Sequence, residues 1–154
     1  MFRITDIRNI AIQIEKNGES SYRLASTKVK DPRISELLAW MADEEERHLQ
    51  WFEELQSEAE VPAEHAELEK MGQSLLQDMM ANQTFSLDQQ ELNRTETLTQ
   101  MLTQSKAFED DTILFYEFLQ GLLDDERAAR ELDAIIDEER QHAARLEELV
   151  ATCA

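Results

Sequence analysis

Glu45 and His48 form a Glu-x-x-His pair, and Glu139 and His142 form a second. On a helix, residues three apart share a face with Cβ atoms about 5–6 Å apart, so one carboxylate and one imidazole can hold a single ion between them. One such pair carries little weight, because Glu and His often meet at that spacing on solvated surfaces. Here the second pair is related to the first by a fixed shift of 94 positions. The same shift superposes Glu15 on Glu109, Tyr22 on Tyr116, Leu38 on Leu132, Asp43-Glu44-Glu45 on Asp137-Glu138-Glu139, and Glu53-Glu54-Leu55 on Glu147-Glu148-Leu149 without a gap. The chain has two tyrosines and three histidines, and both tyrosines and two of the histidines obey the shift, which makes chance a poor explanation.

The hydrophobic pattern sets which way these side chains face. Glu45 and His48 interrupt the apolar series Ile34, Leu38, Met41, Phe52, Leu55, and Glu15 sits among Ile7, Ala11, Gly18, Tyr22 and Ala25. Glu109 sits likewise among Leu98, Leu102, Ser105, Thr112, Tyr116 and Leu119, so four carboxylates head for one core. Glu15 and Glu45 lie 30 residues apart about Lys30, and Glu109 and Glu139 lie 30 apart about Asp124, each midpoint falling in an expected turn. Equal walks up two antiparallel helices end at equal height, about 22 Å from the turn. Each unpaired buried carboxylate costs several kcal/mol, against about 5–15 kcal/mol for the stability of a whole domain. No Arg or Lys recurs on these stripes. Two divalent cations would balance the four carboxylates, with two neutral imidazoles completing the set. The expected ligands are Glu15, Glu45, His48, Glu109, Glu139 and His142. Such a donor set suits iron or manganese better than zinc, and two iron ions are the expectation.

The elements that must position these residues are helices. The chain has 154 residues, 42% of them hydrophobic, with three Gly and two Pro, which describes one all-α domain. Helix 1 is expected over 4–29 with Thr5 or Asp6 as N-cap, and helix 2 from Asp31-Pro32 to about 58. Leu68, Met71, Leu75 and Met79 mark a helical segment within 63–81, followed by a loop at Asn82–Asp88. Helix 3 ends near 120 with Gly121 as C-cap, and helix 4 covers about 126–151. The predicted architecture is two repeated antiparallel hairpins, 4–58 and 95–151, joined by a helical crossover over 59–94.

The four-Glu, two-His pattern is shared by ferritin-like di-iron proteins, whose fold is a four-helix bundle. The sequence resembles the rubrerythrin branch of that family through Glu15 with Tyr22, Glu45-Glu46-Arg47-His48, Glu109 with Phe115-Tyr116, and Glu139-Arg140-Gln141-His142. The resemblance covers about 4–58 and 95–151. It implies a ferritin-like di-iron bundle in which Tyr22 and Tyr116 each donate to a ligand carboxylate; plain core aromatics are the other reading of these two. Two departures accompany it. Rubrerythrins often add a four-cysteine rubredoxin-like domain, whereas this chain has only Cys153, so an external electron donor such as a small redox protein is implied. They also tend to carry an extra Glu three residues along helix 3, where this chain has Lys106 and Thr112 flanking Glu109, which implies a more symmetric site.

Fifteen basic against 34 acidic residues leave a net charge of −19, which repels nucleic acid and anionic membranes and attracts cations. The longest apolar run, Leu37 to Ala42, is far too short to cross a bilayer, and a cytoplasmic protein with a reduced Cys153 is expected. Peroxide or dioxygen is the expected oxidant, and peroxide reduction the first activity. Its rivals are Fe(II) oxidation with iron storage and a non-enzymatic acidic interaction module. A homodimer is expected from the apolar faces of an isolated bundle. Gly18 would leave room for a small oxidant or for close helix packing. Glu44, Glu138 and His65 are read as solvated, and Trp40, Trp51 and the methionines as core or interface material.

Overall fold

The computed structural model describes residues 4–55, 70–74, 77 and 95–153. Four long helices carry the bundle: α1 (Ile4–Lys28), α2 (Pro32–Glu54), α3 (Thr95–Leu122) and α4 (Glu126–Cys153). The fold is all-α, as the composition and periodicity required. None of the described helices is long and apolar enough to cross a membrane.

Local chemistry explains where the hairpins turn. The Asp31 side chain accepts a hydrogen bond from the Arg33 amide at 2.9 Å, with Pro32 filling a position where no amide donor is needed. Asp125 accepts from the Arg127 amide at 2.9 Å in the same way, so the two N-caps also obey the 94-residue repeat. At the other end of α2, Leu55 leaves the helix and its carbonyl accepts from Arg8 of α1 at 3.0 Å, which places a cation at a helix C-terminus.

Three predicted boundaries need correction. Helix α1 is already formed at Ile4, so Thr5 and Asp6 lie inside it, and Asp6 is a first-turn acid favoured by the helix dipole rather than an N-cap. Helix α2 ends at Glu54, and residues 56–58 lie outside the described residues. Gly121 is helical, because α3 runs one residue further to Leu122 and the turn is made by the residues after it. The stripe at 63–81 falls within the described residues only at 70–74 and 77, and the loop at 82–88, His65 and the Cys153 side chain fall outside what is described. Residues 70–74 are helical, and buried Gly72 lies so close to Ile10 and Phe115 that a Cβ there would come within 2.8 Å of each.

Within each hairpin the two helices pack closely against each other. The hairpins pack together through two apolar clusters. One gathers Ile7, Ile14, Phe52, Phe115, Leu132 and Ile136, and the other Tyr22, Leu38, Met41, Met101, Leu102 and Leu146. Each cluster draws on all four helices, with the start of α1 meeting the end of α3. Between the clusters lies a layer of buried polar side chains, and that layer contains all six expected ligands.

Candidate metal centre

Glu15, Glu109, Glu139, His48 and His142 are fully buried, and Glu45 is 1% exposed. Their ligating atoms form two groups, Glu15, Glu45, His48 and Glu139 in one and Glu45, Glu109, Glu139 and His142 in the other, with all atoms of a group within 4.8 Å of one another. Glu45 and Glu139 belong to both groups. Each hairpin therefore contributes to each group, which single-helix spacing could not have indicated. The Nδ1 atom of His48 lies 2.7 Å from Glu139 Oε1, and that of His142 lies 3.0 Å from Glu45 Oε1.

The tyrosines cross between hairpins. Tyr22 of α1 donates to Glu109 Oε1 of α3 at 2.6 Å, and Tyr116 of α3 donates to Glu15 Oε1 of α1 at 2.7 Å. Seven residues up α1, from Glu15 to Tyr22, match seven residues down α3, from Tyr116 to Glu109, as antiparallel packing demands. Burial foremost, then the charge of Glu109 on Tyr22 and of Glu15 on Tyr116, pushes both phenols well up, so they remain O–H donors. Each tyrosine engages one oxygen of its carboxylate. The other oxygen, Glu15 Oε2 or Glu109 Oε2, is buried without any hydrogen bond, as is Glu139 Oε2, while Glu45 Oε1 and His142 Nδ1 face each other at 3.0 Å. Buried acceptors left this way are costly, and here they converge on one place. That convergence is what a cation-binding cage requires, and the donor set fits one.

The electrostatics of the layer point the same way. Burial first, and next the charge of Glu139, pushes Glu45 and Glu109 well above the usual carboxylate range. Burial also acts to raise Glu139, but its contacts with Glu109, His142 and His48 outweigh that and hold it well down. For the imidazoles burial favours the neutral form, yet the surrounding carboxylates, Glu15 foremost at His48 and Glu109 foremost at His142, push both up. Carboxylates buried this close together favour bound protons or a cation over bare negative charge.

Glu44 and Glu138 are not the solvated residues expected from composition. Glu138 meets His48 Nε2 at 2.8 Å and Glu44 meets His142 Nε2 at 2.9 Å, each across to the opposite hairpin. The hydrogen bond from His48 is the main reason that Glu138 is held at about 2. These partners aim Nδ1 of each ring inward, the usual service of a carboxylate behind a ligand histidine. The repeat itself, which pairs Glu44 with Glu138, was the signal that could have revealed them. Trp40 is 41% exposed, and its ring meets that of His142 edge to face with the ring centres 5.4 Å apart. Trp51 is half-buried and donates to Glu131 at 2.7 Å. Lys106 pairs with Asp110, and the Thr112 hydroxyl bonds the Phe108 carbonyl, so neither adds a donor to the cluster.

A family model named Rubrerythrin matches residues 6–150, nearly the whole chain, including all six buried ligand candidates. The chain belongs to the rubrerythrin family. Comparison with curated proteins and with solved structures gave no match. Within this rubrerythrin-family chain, the metal site suggested by the match coincides with the buried carboxylate and imidazole layer.

Proposed function

We propose that this rubrerythrin-family protein is a di-iron carboxylate protein that reduces hydrogen peroxide, or reacts with dioxygen, using electrons from an external donor. The observation that carries the reading is the pair of overlapping donor groups, in which one buried oxygen each of Glu15, Glu109 and Glu139 has no hydrogen bond. Glu15 with His48 would hold one ion and Glu109 with His142 the other, while Glu45 and Glu139 lie within reach of both. When bound, two iron ions supply one electron each, the number needed to reduce peroxide to water.

The chain's own residues supply the rest. Tyr22 and Tyr116 keep the terminal carboxylates turned so that one oxygen faces inward. Glu44 and Glu138 hold the outer nitrogen of each imidazole, which aims the inner nitrogen at the site. The apolar clusters above and below exclude bulk water, which strengthens every charge interaction inside. The acidic surface gathers cations, and the donor partner approaches from solution.

The test is anaerobic iron loading followed by a single addition of peroxide. Two irons per chain and one peroxide consumed per two irons are expected, with both lost in a Glu15→Ala, Glu109→Ala double variant. Peroxide consumption no faster than that of free Fe(II) counts against the proposal. Hundreds of irons per assembly would point to storage instead.

A further inference from the structure

Behind the two histidines, Glu44 and Glu138 come together over the outer face of the site. A single nitrogen of Arg47, Nη2, donates to Glu44 Oε2 at 2.8 Å and to Glu138 Oε2 at 2.5 Å. The remaining Glu44 oxygen faces His142 Nε2, and the same Glu138 oxygen faces His48 Nε2. An unbroken chain, His48 to Glu138 to Arg47 to Glu44 to His142, therefore joins the imidazoles of both donor groups. Arg47 is also where the repeat breaks: the position 94 residues on is the neutral Gln141. One guanidinium serves both halves.

Charge explains why one is needed. Two divalent ions would balance the four inner carboxylates and leave nothing for the outer pair. Glu44 and Glu138 have side chains only 12% and 23% exposed, so water screens their mutual repulsion poorly. We infer that Arg47 is a positioning residue for both metal subsites, holding Glu44 and Glu138 side by side so that each keeps the opposite hairpin's histidine aimed inward. The inference rests on the two-metal reading above. It differs from an ordinary surface ion pair, which contributes little, in that the partners of Arg47 are themselves engaged with buried ligands.

The test uses metal-free full-length protein titrated anaerobically with Co(II), read by binding isotherm and by visible d–d absorption. Wild type is expected to take two Co(II) per chain, and failure to do so would overturn the two-metal reading before any variant is compared. Arg47→Gln is expected to weaken binding about 10–100-fold, the usual effect of removing support behind a ligand, and to alter the spectrum. The Arg47 side chain is 57% exposed, so the fold survives the change, as far-UV circular dichroism will verify. Arg47→Lys keeps the charge and should bind close to wild type. Adding Glu138→Gln to Arg47→Gln should restore much of the affinity, because a Gln carbonyl still accepts from His48 while the repulsion is gone. Wild-type affinity and spectrum in Arg47→Gln would refute the inference, and so would a double variant no tighter than the single one.

Discussion

Replacing Gly18 by Ala should stabilise the metal-free protein and weaken its hold on metal. Gly18 is buried in the middle of α1, where glycine costs about 1 kcal/mol relative to alanine. A Cβ there would lie 3.1 Å from Glu45 Oε2 and 3.5 Å from its Cδ. Without metal, the carboxylate end of Glu45 can give by a few tenths of an ångström, and most of the propensity gain survives. For a domain of this size about 1 kcal/mol corresponds to a Tm rise of about 2–4 °C. With metal, Glu45 is shared between both donor groups and cannot retreat without stretching both. The metal-dependent rise in Tm should therefore be smaller in Gly18→Ala than in wild type, and the difference measures the loss of binding. Thermal unfolding by circular dichroism, with and without saturating Co(II) under argon, gives all four values. An equal gain in both states would refute the reasoning, as would a loss in the metal-free state.

Tyr22→Phe should cost about 1–3 kcal/mol of metal-free stability by denaturant titration, since Glu109 Oε1 is left a buried acceptor without its donor, and Tyr116→Phe should do the same through Glu15. Unchanged midpoints in both variants would show these hydrogen bonds to be incidental. The metal-free protein should lose stability as pH rises from about 5 to 8. Glu45 and Glu109 are raised above their ordinary 4.5, and His48 and His142 above 6.5, so what they contribute is present below those values and is lost as pH climbs toward the folded-state ones. Glu139, which is depressed, is already ionised in both states across this window and adds no slope there. Metal binding must displace these protons, so Co(II) affinity should increase over the same range; a pH-independent isotherm would contradict the charge argument.

Much of the site was legible because helical spacing converts sequence into direction. A charged residue on an apolar stripe announces burial, and equal distances from two turns announce equal height, so the six ligand candidates could be brought to one layer without coordinates. Glu44 and Glu138 escaped that reading because they lie one helical step off the stripe. In a chain with 34 acidic residues, composition gives no reason to single out two of them. Trp40, read as core or interface material, is half-exposed and meets the His142 ring edge to face.

Sequence by itself determined the helices, the duplication, the caps at Asp31 and the buried donor set, because each follows from local periodicity or from neighbours in the chain. Tertiary structure alone decided who pairs with whom: Tyr22 with Glu109, Tyr116 with Glu15, each histidine with a glutamate of the opposite hairpin, and Arg47 across both. A helix dictates the face and height of its side chains. Which hairpin meets which face depends on how two apolar layers close over a polar one, a choice made only when all four helices pack.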